Sequence, residues 1–201
     1  MTDSRSPALW PEVYDRIIDA LHQRLKPKRL FHTLGVLETA LSLAARHGVD
    51  PERVAWAALL HDFCKTGEAE GLRRLAADLG EVIPPEDLDY PGVWHAWAAA
   101  GLACHEWGLQ DTEILDAIRH HPTGHPAMSA IAKILFLADF LEPTRGHPQH
   151  DELLAMAHRS LDEGLIAVLQ AKVEHLAGEG KAVHPRAAEA LAAFTQPPKE
   201  V

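Results

Sequence analysis

Apolar positions along this chain recur three and four residues apart, the spacing that puts them on one face of a helix. Val13, Ile17, Leu21 and Leu25 form such a stripe and predict a first helix from about Ala8 to Leu25, punctuated by Pro27. A second helix runs from about Lys28 to His47 and stops at Gly48. Asp50-Pro51 supplies the N-cap and first-turn residue of a third, which the pattern carries through Lys65. A fourth covers Glu68 to Leu79 and is stopped by Gly80. Glu81 to Pro91, rich in proline and aspartate, reads as a loop. A fifth helix spans about Gly92 to Trp107, and Asp111 caps a sixth that ends against Pro122. A seventh runs from Met128 to Leu141 and stops at Pro143. After a loop from Thr144 to His150, two or three helices reach about Phe194, and the tail to Val201 is expected to fray. No alternating strand and no internal repeat stands out. The chain is expected to be all-α, a single bundle of about eight to ten helices with no linker long enough to mark a domain boundary.

The informative positions break this pattern. His61-Asp62 closes the apolar run Val54-Ala55-Trp56-Ala57-Ala58-Leu59-Leu60, the inside of a buried helix, where an ionisable pair is costly unless a partner or metal compensates it. With 14 histidines in the chain, chance alone supplies a His-Asp pair, and His150-Asp151 is one. That second pair lies in a Pro/Gly/His loop with no apolar run before it. Adjacent helical residues diverge by roughly 100°, so a carboxylate at Asp62 is placed to bridge two ions while His61 caps one. Further ligands must come from other helices, and four settings qualify. His32, His95 and Asp139 each interrupt an apolar helix. On the sixth helix the apolar stripe Ile114, Ile118 continues to His121, whereas His120 follows Glu113 and Asp116 on the polar side. Four histidines and two aspartates make a nitrogen–oxygen donor set that suits iron, manganese or zinc, with no thiolate. Two such ions generate hydroxide near neutral pH and stabilise both oxygens of an in-line phosphoryl displacement. Lys65, three residues after Asp62, is placed to meet phosphate charge.

Charge and composition narrow the partners. The formal net charge is −10 and 24% of residues are charged, with Lys and Arg scattered, which argues against a nucleic-acid polymer. No apolar run approaches a membrane span, and the N-terminus lacks the basic and apolar blocks of a secretion signal. Two cysteines in no CxxC pairing fit a reducing cytoplasm. The oligomeric state stays open, a homodimer included.

Taken together, these residues resemble the HD superfamily and, within it, the YqeK-like symmetrical diadenosine tetraphosphate hydrolases. The matching residues are His32-Thr33 with Gly35-Val36, His61-Asp62 with Lys65, and Trp94-His95. They continue with Asp116-Ala117-Ile118-Arg119, His121, Thr123-Gly124 and Met128, then Ala138-Asp139 with Glu142-Pro143 and Arg145. The resemblance implies a metal-binding core over about 28–146, with the helices of about 150–195 packing on it. It also implies a two-metal, di-iron-like centre and cleavage of diadenosine tetraphosphate (Ap4A) into two ADP. By position, His32, His61, Asp62 and Asp139 would hold one metal, and Asp62, His95 and His121 the other. Lys65, Arg145 and Arg29 would meet phosphates, Trp94 would wall the pocket, and Thr123 and Gly124 would lie near substrate. The chain departs from the family pattern at His120, often aromatic, and at His125, often arginine.

Two other readings compete. A nucleotide phosphatase of broader range would act on mono- or triphosphates, because HD chemistry attacks many phosphoesters. A sensor module would bind metal and nucleotide without turnover. The intact ligand set and Lys65 weigh against the sensor. The remaining histidines, His184 among them, are read as surface or core.

Overall fold

A computed structural model describes residues 12–195. Among these residues ten α-helices follow one another with no strand. They are α1 (Glu12–Arg24), α2 (Pro27–His47), α3 (Pro51–Leu60), α4 (Ala69–Asp78) and α5 (Trp94–Trp107). Then come α6 (Thr112–His120), α7 (Ala130–Leu141), α8 (His150–Arg159), α9 (Leu161–Gly178) and α10 (Pro185–Thr195). The expected first turn from Ala8 to Pro11 and the tail from Gln196 lie outside the described residues.

Local chemistry sets the helix ends. The Asp50 side chain accepts from the backbone N–H of Glu52 at 2.9 Å and Pro51 occupies the first turn, so α3 starts where the sequence predicts. Asp111 caps α6 in the same way. Gly48, at φ 65°, gives α2 its left-handed stop. The periodicity did not single out Ser129 and Ser160, which cap α7 and α9. Ser129 is the reason α7 begins at Ala130 rather than Met128.

One boundary difference matters for the site. α3 ends at Leu60, not Lys65. Beyond it the backbone tightens: Phe63 N–H donates to the Leu60 carbonyl at 3.1 Å and Lys65 N–H to that of Asp62 at 2.9 Å. Such three-residue closure is common at helix C-termini. His61 and Asp62 therefore stand on the closing turn rather than in the helix body. The stretches read as loops also carry single 3-10 turns, at Pro85–Asp87, Pro91–Val93 and Pro143–Arg145, and His150 already opens α8.

α2 packs against α3 and α7, α6 against α5 and α7, while α9 joins α7 to α8 and α10. One apolar core runs through them, with Trp56, Phe63, Ile114, Ile118 and Phe136 among its most buried members. Burying a side chain of this size contributes roughly 1.5–3 kcal/mol. Val54 through Leu60 are all buried, so the turn carrying His61 and Asp62 is anchored by a fully packed helix. α8 and α9 approach so closely that a Cβ on Gly164 would lie 2.6 Å from Ala157 Cα.

Candidate metal centre

The structure brings all six predicted ligands together. His32 comes from the second turn of α2, His61 and Asp62 from the turn closing α3, and His95 from the first turn of α5. His121 caps the C-terminus of α6, and Asp139 lies in the last turn of α7. All but Asp139 are buried, and Asp139 keeps only 15% of its side chain exposed. Because α2, α3, α6 and α7 pack side by side and α5 packs on α6, the ligands from these five helices meet.

Asp62 divides the group in two. Its Oδ2 lies 3.8 Å from His32 Nε2 and 3.8 Å from His61 Nε2. Asp139 Oδ1 joins that side, 3.1 Å from His32 Nε2 and 3.9 Å from His61 Nε2. The other oxygen, Oδ1, faces His95 Nε2 at 3.1 Å and His121 Nε2 at 3.5 Å. The ligand atoms of His32, His61 and Asp62 lie within 4.8 Å of one another, as do those of Asp62, His95 and His121. One carboxylate thus addresses both groups through different oxygens.

Each imidazole is turned inward by the same device. His61 Nδ1 donates to the Ala58 carbonyl at 2.7 Å, His121 Nδ1 to that of Ile118 at 2.7 Å, and His95 Nδ1 to that of Gly92 at 2.8 Å. A carbonyl only accepts, so the proton sits on Nδ1 and the Nε2 lone pair points at the centre. His32 Nδ1 instead donates to Glu142 Oε1 at 2.8 Å. Among the described residues, His32 Nε2, His61 Nε2 and Asp62 Oδ1 are buried without a hydrogen-bond partner. Three orphaned acceptors in one place are costly. A divalent cation in either group would satisfy acceptors there, and the donor chemistry fits one.

The electrostatics agree. Burial lowers the pKa of His61, His95 and His121, the last to about 3, keeping all three neutral and able to ligate. Burial pushes the Asp62 carboxyl up, but His61, His121, His95 and Lys65 outweigh it and hold it well below the usual carboxylate range. Asp139 is held low against its burial by His32 and Arg145. Burial raises the nearby Cys64 thiol to about 12, so no thiolate competes for the ions.

Beside the centre opens a cleft of about 670 Å³ lined by Lys26, Lys28, Arg29, His32, Lys65, Thr66, Glu142, Thr144 and Arg145. In a chain of net charge −10 this concentration of cations is local and specific. Three of the predicted phosphate residues are in it. Arg29 donates to Asp62 Oδ2 at 2.8 Å, Arg145 to Asp139 Oδ1, and Lys65 Nζ lies 2.9 Å from His95 Nε2. The other three candidate substrate residues do not line the cleft. Trp94 does not line this cleft; it is packed in the core and its indole N–H donates to the Asp87 carbonyl at 2.8 Å. Thr123 is buried, its hydroxyl donating to the Gly124 carbonyl at 2.9 Å. Gly124, at φ 75°, faces Leu169, Ala190 and Phe136. Both residues end α6 and support the C-terminal helices.

The internal controls separate cleanly. His150-Asp151 is a surface pair, with the Asp151 side chain fully exposed. His120 stands beside the centre without joining it, stacked on His125 at 4.7 Å and edge-on to Trp97. Sequence reasoning missed Glu142 as a working residue. It is 1% exposed, orients His32, and accepts from the backbone N–H of Thr144 at 2.7 Å. Its signal was a carboxylate three residues after Asp139, directly before a proline. Gly35 belongs with it, since a Cβ there would lie 2.8 Å from Glu142 Oε2.

The HD domain family matches residues 29–144. The symmetrical bis(5'-nucleosyl)-tetraphosphatase of Bacillus subtilis is 36% identical over 172 residues, covering 85% of this chain and 91% of its own. That of Halalkalibacterium halodurans is 32% identical, covering 90% and 95%. A 1.50 Å crystal structure from Clostridium acetobutylicum, described as a predicted HD superfamily hydrolase involved in NAD metabolism, superposes with a TM-score of 0.85. It is 32% identical and covers 90% of this chain and 96% of that one.

Proposed function

The chain belongs to the HD-domain family, and from that premise we propose that it hydrolyses Ap4A symmetrically, giving two ADP. The observation that carries this reading is the convergence of four Nε2 atoms on the two oxygens of Asp62, at the edge of a cationic cleft. Two divalent ions, iron favoured and manganese an alternative, would be held by His32, His61, Asp62 and Asp139 on one side and by Asp62, His95 and His121 on the other. When bound, such a pair activates water and neutralises charge on the oxygens of phosphorus.

The chain's own residues supply the rest. Glu142 and the carbonyls of Ala58, Gly92 and Ile118 fix the four imidazoles before substrate arrives, so no reorganisation is needed during the reaction. Lys65, Arg29 and Arg145 bind the phosphates that flank the scissile bridge. Each now faces a carboxylate or imidazole of the centre, which keeps the three cations aimed inward. Water adds its oxygen to one of the two central phosphorus atoms, and the bridging oxygen departs with the second ADP. Thr66 at the cleft wall would donate to the same phosphates. Relatives of this chain are named for symmetrical cleavage, and an anionic tetraphosphate matches a cleft of this charge.

Chromatography of early products from metal-reconstituted protein tests the proposal. ADP alone is the expected product from Ap4A. ATP with AMP, or turnover confined to mono- and triphosphates, would favour the nucleotide phosphatase of broader range.

A further inference from the structure

The cleft contains two kinds of cation. Arg29, Lys65 and Arg145 are engaged by groups of the centre. Lys26 and Lys28 line the same cleft and have no hydrogen bond or ion pair from their side chains among the described residues. Their placement also works against the helix that carries them. α2 opens Lys26-Pro27-Lys28-Arg29 with no acidic residue in its first turn and no side-chain cap. A helix N-terminus carries partial positive charge and favours anions. α3, α6 and α9 follow that rule, each with an Asp or Ser cap and an acidic first turn. Cations stacked on a positive helix end are stabilised when an anion binds between them.

A further feature lies on the same helix. Phe31, 65% exposed, is the one aromatic among the exposed large hydrophobic side chains of the described residues. It lies three residues after Lys28, hence beside it on the helix surface. The cleft, at about 670 Å³, is in the upper half of the range for small-molecule sites, ~300–1,000 Å³.

Resting on the reading that the substrate is a dinucleoside tetraphosphate, we propose that the mouth of α2 seats the second, departing nucleotide. Lys26 and Lys28 take its phosphates, and Phe31 offers a face on which its base stacks. The inner cations and the centre hold the nucleotide whose phosphorus is attacked. The outer lysines hold the one that leaves with the bridging oxygen, where negative charge grows as the bond breaks. Aromatic stacking is tolerant of base identity because every base has a π-face. A mononucleotide reaches only the inner half. The α2 mouth is thus what makes a two-nucleotide substrate better than one.

Steady-state kinetics on the full, metal-loaded chain test this with Ap4A as substrate and ADP as inhibitor. The variants are Lys26→Glu/Lys28→Glu and Phe31→Ala. For the charge reversal, KM for Ap4A should rise about tenfold while the inhibition constant of ADP moves less than about twofold. Phe31→Ala should raise KM for Ap4A about fivefold, again sparing ADP. If charge reversal lowers the melting temperature, Lys26→Gln/Lys28→Gln replaces it with the same expected direction. An unchanged KM for Ap4A in a wild-type background that cleaves it overturns the proposal alone. A parallel rise for ADP also overturns it, since the lysines would then serve the inner nucleotide. Wild-type protein that is fully metal-loaded and leaves Ap4A intact removes the functional reading and this subsite together.

Discussion

Two regions of this molecule bury histidine beside aspartate, and they differ in where the polar atoms find partners. The first is the centre around Asp62. The second joins the loop before α5 to α10: Asp87, fully buried, lies 3.0 Å from His184 Nε2 and 2.8 Å from Arg186 Nη1. Its other oxygen accepts from Trp97 Nε1 at 2.8 Å. Arg186 reaches on to Glu86 at 3.0 Å. In this cluster His184 Nδ1 accepts from the Arg186 backbone N–H at 3.1 Å, so its Nε2 carries the proton and faces Asp87 as a donor, with the Arg186 guanidinium balancing the carboxylate. Around Asp62 three imidazoles that burial keeps neutral, His61, His95 and His121, donate Nδ1–H to backbone carbonyls and turn Nε2 lone pairs toward carboxylates, so acceptor faces acceptor. The same residue types therefore make a clamp in one place and a set of cation ligands in the other. What distinguishes them is whether donors and acceptors balance.

The largest test of that contrast exchanges the aspartates. Asp62→Ala should lower kcat by at least about a thousandfold, because both ligand groups lose their shared member. Asp87→Ala should instead destabilise the fold, by up to about 3–5 kcal/mol, leaving buried Arg186 with only the half-exposed Glu86 as its acid partner. Turnover per folded, metal-loaded molecule should persist in that variant, and in Asp151→Ala. Denaturant unfolding beside a turnover assay separates the two effects. Loss of turnover in folded Asp87→Ala would erase the distinction.

Metal content sharpens it further. About two divalent ions per chain are expected, and Asp87→Asn should bind as many as the wild type. Since ions bind the folded state, chelation should lower the melting temperature; occupancy at a hundred times Kd is worth about 2.7 kcal/mol per site. Elemental analysis with calorimetry checks both. Reconstituted protein that holds no ion would end the metal reading.

Within α6 the comparison narrows to neighbours. His121→Ala should lower activity by about a hundredfold or more, as loss of a ligand does, and His120→Ala by less than about threefold. His120 stacks on His125 and burial lowers its pKa to about 4, yet it touches no ligand group. A larger effect from His120 in a kinetic assay would assign it a role that its position does not explain.

Much of this was legible in the sequence for a physical reason. A charged residue inside an apolar run is conspicuous, and His61, Asp62, His95 and Asp139 are all of that kind. His121 was legible through the phase of Ile114 and Ile118. Glu142 was not, because it lies past the helix it serves and its partner His32 is 110 residues away. Asp87, His184 and Arg186 escaped for a similar reason: each sits at a turn or helix start, where polar residues are ordinary, and only the tertiary fold buries them. The side to which Trp94 turns was not legible, because an indole beside a ligand histidine faces core or cleft with equal sequence logic. The end of α3 at Leu60 was hidden as well, since apolar periodicity continues through Phe63 while the backbone tightens.

The smallest effect concerns a half-buried charge of a third kind, neither clamped by an acid nor aimed at a ligand. Lys172 of α9 donates to the Pro122 carbonyl at 2.7 Å and lies over the Phe136 ring, with Asp139, Arg145 and Lys65 as its charged surroundings. Burial lowers its pKa from 10.5 to about 8, with Asp139 opposing the shift and Arg145 and Lys65 adding to it. Below about 8 the folded and unfolded chains both carry the proton, and the folded state bears the full penalty of a buried ammonium. Between about 8 and 10.5 the unfolded chain keeps a proton that the folded chain has released, so stability attributable to Lys172 rises with pH across that window. Lys172→Met removes the titration and keeps the apolar stem against Phe136. Urea unfolding of both proteins from pH 7 to 10 should show the wild type gaining on the variant only above about 8. A difference that stays flat, or that falls, would mean the ammonium is solvated in the folded protein and that α9 leaves it open to water.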